Sequence, residues 1–362
     1  MIYRLVLENL KHRPVRTLLS AVAIGVQVTM ILTLVGVSRG MLGDVAARSR
    51  GTGADIVVRP PNSAILGFSG NMPEKIVSVV RGTPHVALAT ATLVHPVGNL
   101  NSITGIHLDE FNQMSGGFRF LEGRPFENQD EVILDDVQAK TDRVHAGGSI
   151  DLGKKWRVAG VVDQGKLARV IADIRALQDI YGETDKATAI WVKVDDSANT
   201  RAVIDALKQE GLDDYSILSI SELTSLTSPN NIPMLKQFTY VVIGIAVIVG
   251  FLVVFLSMYT TVLERTREIG ILKALGASPG YILGILMRET VLLSVAGTIA
   301  GILMTYGTRW LMQTFVPTMT QVIVPDWWPY GAIIALVGSL IGALYPGLKA
   351  ARQDAIEALS YD

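Results

Sequence analysis

Four stretches of this chain contain no Asp, Glu, Lys or Arg: residues 17–38, 237–263, 290–308 and 327–348. They are 22, 27, 19 and 22 residues long. A helix needs about 20 apolar residues to cross the hydrocarbon layer. Backbone groups in lipid must also satisfy one another, which leaves the helix as the form each stretch can take. Between the first two stretches, residues 39–236 carry 21 Lys/Arg and 25 Asp/Glu. That is about 23% charged, an ordinary value for a soluble domain. The whole-chain figures, 49% hydrophobic and 18% charged over 362 residues, are an average of these two populations. The fold class expected is therefore a membrane α-helical protein with four transmembrane helices and a large mixed α/β domain inserted between the first and second. This excludes a purely soluble enzyme and a carrier with only small loops. A net charge of −1 argues against nucleic acid as a partner, since such binders present a strongly basic patch. The chain has no cysteine, so no disulfide, zinc–thiolate cluster or cysteine nucleophile can form.

A fifth uncharged run, residues 82–108, contains Pro84, Pro96, Gly98, Asn99, Asn101 and Gly105 and reads as strands and turns. The first span follows a basic segment, yet its apolar core is longer than the h-region of a signal peptide, which predicts a retained anchor. Basic residues set the orientation. Arg4, Lys11, Arg13 and Arg16 precede the first span; Arg265, Arg267, Lys273 and Arg288 lie between the second and third; Lys349 and Arg352 follow the fourth. Residues 310–330 have no Lys or Arg. Both termini are expected inside and residues 39–236 outside. The order expected is an amphipathic elbow (1–16), spans at 17–38, 237–260, 289–312 and 329–348, the outer domain with stalk ends (39–236), an inner loop (261–288), a short outer loop (313–328) and an inner tail (349–362). Trp327, Trp328 and Tyr330 suit an aromatic belt, and Arg309 suits snorkelling to the interface.

Small residues recur at four-residue spacing in the spans: Gly331, Ala335, Ser339, Ala343 and Gly347 in the fourth, Gly297 and Gly301 in the third. Such faces let helix backbones approach closely. They predict a packed bundle, formed within one chain or between two copies, rather than a wide pore. Gln27 is the one strong polar group in the interior of the uncharged runs, Gln237 standing at the edge of the second. A proton- or ion-coupled carrier would place an ionisable residue at depth, so the energy source is expected elsewhere.

The outer domain offers little chemistry. Helices are expected at 73–80, 174–181 (closed by Gly182) and 198–210 (closed by Gly211). Strands are expected near 93–97, 103–108, 132–134, 156–162, 189–194 and 215–220, in one or two lobes, with 42–47 and 223–238 extending the spans as stalks. The segment Gly160 to Leu167 is close to a phosphate-binding loop, but Leu167 stands where Ser or Thr must hold Mg²⁺. His85, His95 and His107 have no compact metal-ligand spacing. The pairs Asp135-Asp136 and Asp195-Asp196 read as turn acids.

The strongest signal lies in the inner loop. Glu264, Arg265, Arg267 and Glu268 cluster ahead of Ile269, Gly270, Ile271, Leu272, Lys273 and Leu275. Gly276 can close that helix in the left-handed conformation. After Ala277, Ser278 can cap the next helix with Pro279 at its first position. The result is a short helical hairpin, read either as a docking helix for a partner's groove or as a solvated connection.

Residues 264–278, Glu264 through Gly276 and Ala277 to Ser278, resemble the signature of the FtsX-like/MacB-like permeases of ABC transporters. Residues 7–19 (LENLKHRPVRTLL) resemble that family's amino-terminal elbow. Residues 121–126 (LEGRPF) with 130–134 (DEVIL) resemble its outer domain, and 345–352 (YPGLKAAR) with 357–359 (EAL) its cytoplasmic tail. Two positions depart: Ala355 stands where Pro is usual and Ser360 where a basic residue is common. The resemblance implies a permease without its own ATPase domain, in a bacterial inner membrane, multi-pass with both termini cytoplasmic. Its partners would be a cytoplasmic ABC ATPase dimer, a second permease copy (identical or related), membrane lipid and, in some relatives, a periplasmic adaptor. The chain itself would be no enzyme and hold no cofactor, ATP and Mg²⁺ residing on the ATPase. The family mode is mechanotransmission: ATPase closure pushes on the hairpin, and the outer domain expels a hydrophobic or amphiphilic substrate. Some relatives instead signal to an outer partner such as a cell-wall hydrolase. The 198-residue outer domain favours export.

Overall fold

The computed structural model describes residues 14–61, 63, 70–97, 102–227 and 231–353. Most of the expected elbow, Asn99 and Asn101, and the tail positions Ala355, Glu357 and Ser360 lie outside the described residues. The chain divides into two compact units. One holds residues up to 38, 233–312 and 321 onward; the other holds 39–232 and 313–320. The first helix, α1 (Pro14–Arg50), contributes residues to both.

The α/β unit contains β1 (Ile56–Arg59), β2 (Met72–Pro73), α2 (Ile76–Gly82), β3 (Val86–Pro96), β4 (Ser102–Ile106), α3 (Leu108–Ser115), β5 (Phe120–Gly123), β6 (Glu131–Asp135), α4 (Asp136–Asp142), β7 (Ser149–Asp151), β8 (Lys155–Val162), β9 (Val170–Asp173), α5 (Ile174–Tyr181), β10 (Lys186–Ala187), β11 (Ala189–Val194), α6 (Thr200–Leu207), β12 (Ser216–Ser219) and α7 (Ile220–Leu226). Ten strands form one sheet in the order β12-β1-β11-β3-β4-β9-β6-β8-β5, with β7 on β8. A single sheet thus runs through the domain, in place of two separate lobes. Pairing is antiparallel except at β4–β9 and β6–β8. Val132, Ile133 and Leu134 of β6 are fully buried, as expected of a strand covered on both faces. In β8, Lys155 and Arg157 alternate with buried Trp156 and Val158 before a continuous buried run. Helix α5 has the expected bounds because both of its ends are fixed by neighbouring residues. The Asp173 carboxylate accepts from the N–H groups of Arg175 and Ala176, and Gly182 ends the helix at φ 67°.

Three local expectations need correction. The first helix of the domain spans 76–82 rather than 73–80, since Pro73 pairs with Lys186 in a two-stranded ribbon. The helix expected over 198–210 is a 3₁₀ turn, α6 and a wide π turn, which Gly211 interrupts at φ 91°. Residues 223–238 are not one stalk: α7 ends at Leu226 and a new helix opens at Pro233.

The helical unit adds α8 (Pro233–Glu264), α9 (Thr266–Ala274), α10 (Pro279–Phe315) and α11 (Trp328–Arg352). Together with α1, the three longer helices are long and apolar enough to cross a membrane. Their core is lined by Ile24, Val28, Leu32, Val254, Met258, Ile282, Leu286 and Leu293, closed by Ala335, Ala343 and Ala350.

Candidate functional site

The hairpin between α8 and α10 is built as its residues dictate. Arg265, at φ −106°, ψ 12°, breaks the helix between α8 and α9. At the far end, the Gly276 N–H donates to the Lys273 carbonyl and the Ala277 N–H to the Leu272 carbonyl, both at 2.9 Å. This pair of bonds is a Schellman closure, which needs a left-handed residue, and Gly276 supplies it at φ 91°. Ser278 then caps α10, its Oγ accepting from the Tyr281 N–H at 3.3 Å.

The structure divides the coupling residues into two faces. Ile269 and Gly270 are buried against the bundle, where Ile269 joins the cluster of Ile282 and Leu286. Leu272, Lys273 and Ala277 are half-buried, and Lys273 Nζ donates to the Gln353 carbonyl at the end of α11. Glu264, Arg267 and Glu268 are exposed. So are Leu275 (80%), Ile271 and Tyr281, an apolar patch that α9 and the start of α10 do not cover. Half-buried Arg265 lies between the two faces.

One residue escaped sequence reasoning. Glu289 falls one position before the uncharged run of the third span, yet it is buried on α10. Its Oε2 lies 3.4 Å from Nη1 of Arg265, with both side chains largely shielded. Breaking a buried pair of this kind leaves an uncompensated charge and costs about 3–5 kcal/mol. The pair ties the break between α8 and α9 to the first turns of α10. The only sequence cue was an acid at the inner edge of a span facing a basic cluster.

The small-residue positions Gly297, Gly301, Gly331, Ala335, Ser339, Ala343 and Gly347 are all buried within the single chain. A Cβ on Gly301 would sit 2.6 Å from the Gly25 carbonyl oxygen, and one on Gly297 would sit 2.6 Å from the Ile24 Cβ. Thr29 Oγ1 donates across this crossing to the Gly301 carbonyl at 2.9 Å. These positions pack helix on helix inside the protomer. Gln27 is also buried, with its amide packed against Gly250.

The weak motifs of the α/β unit acquire structural roles. Lys166 Nζ donates to the carbonyls of Ser115 and Gly117 at the end of α3, where a cation suits the helix dipole. His85, His95 and His107 each face a different carboxylate, Asp195, Glu183 and Glu74. The Glu74 hydrogen bond holds the His107 imidazole above its ordinary pKa. Among the described residues, no three His, Asp or Glu side chains converge as metal ligands would. Asp135 caps α4 and Asp136 pairs with Lys140 at 2.7 Å.

The family model for the MacB-like periplasmic core domain matches residues 17–210, more than half of the chain. This chain belongs to the MacB/FtsX-like ABC transporter permease family. The model for the FtsX-like permease C-terminal region matches residues 240–355, which contain the hairpin. The uncharacterized ABC transporter permease YvrN of Bacillus subtilis (strain 168) is 24% identical over 414 residues, covering 99% of this chain and 99% of that protein. The uncharacterized ABC transporter permease MJ1507 of Methanocaldococcus jannaschii is 28% identical over 57% of this chain and 55% of its own length. The macrolide export ATP-binding/permease protein MacB of Chromobacterium violaceum is 26% identical over 77% of this chain and 46% of its own. Against these last two, the permease matches about half of the relative's length. Solved structures that align with it include two outer domains. The extracellular domain of the ABC-type transporter YknZ from Gram-positive bacteria does so at TM-score 0.36 and 15% identity, covering 46% of this chain and 98% of that one. The periplasmic region of MacB from Actinobacillus actinomycetemcomitans does so at TM-score 0.37 and 16% identity, covering 49% and 94%. These scores are too low for the likeness to carry a functional reading.

Proposed function

We propose that this permease is the membrane subunit of an ABC exporter driven by an ATPase on another polypeptide, which binds ATP and Mg²⁺ and docks on the α9 hairpin. The observation that carries this reading is the two-faced hairpin. Its inner face is fixed to the bundle by Ile269 and by the Arg265–Glu289 pair, while Ile271, Leu275 and Tyr281 lie uncovered beside Glu264, Arg267 and Glu268. An apolar centre with a charged rim is the composition of a protein interface. The basic residues flanking the spans support an orientation with the hairpin and both termini inside and the α/β domain outside the inner membrane.

In this mechanism, closure of the ATPase dimer displaces α9. The buried ion pair and the Schellman turn pass the displacement to α10, and the outer domain responds by expelling a hydrophobic or amphiphilic substrate from the outer leaflet or periplasm. Export by relatives named as macrolide exporters suggests that substrate class. Two permease copies would serve one ATPase dimer. The test is to co-express the full chain with its ATPase and replace Leu275 by Asp. Loss of co-purification with the permease still folded supports the reading; an unchanged, normally stimulated complex refutes it. Capture of a cell-wall hydrolase by the outer domain, with no ATP-dependent release of lipophiles, would point to the signalling alternative.

A further inference from the structure

In the α/β unit, several chain segments converge on one guanidinium. Arg169 immediately precedes β9, and its side chain is 15% exposed. Its Nη2 donates to Asp44 Oδ2 at 2.9 Å and to the Thr318 carbonyl at 2.9 Å. Asp44 lies on the last turns of α1 and also pairs with Arg48 at 3.2 Å. Thr318 lies just beyond the end of α10. The Arg169 carbonyl accepts from the N–H of Asp135, the last residue of β6. One residue thus joins the ends of two long helices to two adjacent strands of the sheet.

The surrounding backbone is held just as closely. The Leu167 N–H donates to the Arg48 carbonyl at 3.0 Å. A Cβ on Gly51 would fall 1.9 Å from the Gly165 carbonyl oxygen, so these two segments touch backbone to backbone. Leu167 itself sits at φ 53°, in the left-handed region that costs a branched apolar residue about 1–2 kcal/mol. Such strain persists only where the surroundings over-determine it, and it concentrates at functional joints. Arg48 and Asp135 are the charged groups around this joint that also act on one another. Both bonds leave one guanidinium nitrogen, whose two N–H groups lie in the guanidinium plane and so fix the angle between the Asp44 and Thr318 acceptors, while Nη1 is buried without a hydrogen-bond partner among the described residues.

We infer that Arg169 is a positioning residue for transport: it is the rivet through which displacement of α1 and of the segment after α10 is delivered to the sheet of the outer domain. This rests on the mechanism proposed above.

The test uses the full chain in complex with its ATPase, trapped with ATP, Mg²⁺ and vanadate, with hydrogen exchange read in residues 131–135, 163–173 and the hairpin. In the wild type, trapping is expected to change protection in both regions. In Arg169→Ala the hairpin response should remain while the sheet response falls about threefold or more, the scale on which substitutions along a coupling network act. Arg169→Lys should recover part of it. The chain has no native cysteine, so Asp44→Cys/Arg169→Cys bridged by a reductively cleavable bismaleimide should restore the response and lose it on cleavage. Should Arg169→Ala fail to fold, the loss is read in Arg169→Lys, which keeps the charge and should show a sheet response below that of the wild type. Equal sheet responses with and without the joint overturn the inference. A wild type that responds at the hairpin alone overturns it too but leaves ATPase docking standing; a wild type silent at the hairpin overturns the docking mechanism itself.

Discussion

Replacing Gly301 by Ala inserts one methyl group where α10 crosses α1. That methyl would lie 2.6 Å from the Gly25 carbonyl oxygen, 2.7 Å from the Val28 Cβ and 3.0 Å from its Cγ1. None of these atoms is the free end of a flexible side chain, so the helices must separate. Overpacking of this kind costs typically 1–3 kcal/mol, and three rigid close contacts place it at about 3. Separation also weakens the bond from Thr29 to the Gly301 carbonyl, worth about 0.6 kcal/mol in a membrane bundle. Alanine returns about 1 kcal/mol of helix propensity. The net loss is then about 2–3 kcal/mol. Gly307 on the same helix is the control, because a Cβ there meets nothing within 4 Å; Gly307→Ala should gain up to about 1 kcal/mol. Reversible unfolding of the purified full chain in mixed micelles, followed by circular dichroism, measures both. A Gly301→Ala variant as stable as the wild type would refute the packing argument. A change in oligomeric state at unchanged protomer stability would instead show that this face serves a second copy.

Arg265→Ala or Glu289→Gln should each cost about 3–5 kcal/mol in the same assay, while Arg265→Met/Glu289→Leu together should recover most of the loss, because buried ion pairs give way to apolar pairs at little cost. Two carboxyls of the α/β unit predict opposite pH dependences. Burial pushes the Glu131 carboxyl up, but hydrogen bonds from Arg124 and the backbone of Glu127 and Asn128 outweigh it and hold it at about 2. Its stabilisation is therefore present above the ordinary value of 4.5 and lost as pH falls through that window; Glu131→Gln should cost about 2 kcal/mol at pH 7 and remove the acid-side loss. Burial raises Asp135 to about 6 against the pull of the Gln138 N–H, Arg169 and Arg48, so its contribution is full below 3.8 and is lost as pH rises through about 6. Asp135→Asn keeps an N-cap acceptor and should melt higher than the wild type at pH 8 but not at pH 4. Gly276→Pro cannot reach φ 91° and removes the N–H bonded to Lys273, so it should abolish ATPase association while the bundle still unfolds cooperatively.

What could be read from the sequence was local. The long helices announced themselves through uncharged runs that match the membrane thickness. Helix α5 and the hairpin turn were legible because Asp173, Gly182, Gly276 and Ser278 act on their nearest neighbours. The order of the ten strands was not legible, since β1 pairs with β11 across more than a hundred residues and no short-range pattern encodes that choice. The separation of α7 from α8 was legible in Pro229, Asn230, Asn231 and Pro233, turn formers that the stalk expectation passed over in favour of the apolar residues on either side. Glu289 was missed for a related reason: its partner is 24 positions away, and only the reversal of the chain at Gly276 brings them together. The small-residue faces were found, but whether they served one chain or two depended on which helices become neighbours.

In the mechanism proposed above, energy enters at the α9 hairpin from a cytoplasmic ATPase. The chain has no cysteine, so Leu275→Cys places one thiol on the most exposed apolar position of the hairpin. In native membranes a short thiol-reactive photo-cross-linker at that position should be accessible from the cytoplasmic side and should join the permease to an ABC ATPase, with the yield changing when ATP is trapped by vanadate. A thiol that reacts only from the outer side, or that joins no ATPase while an ATPase co-purifies with the chain, would contradict the account.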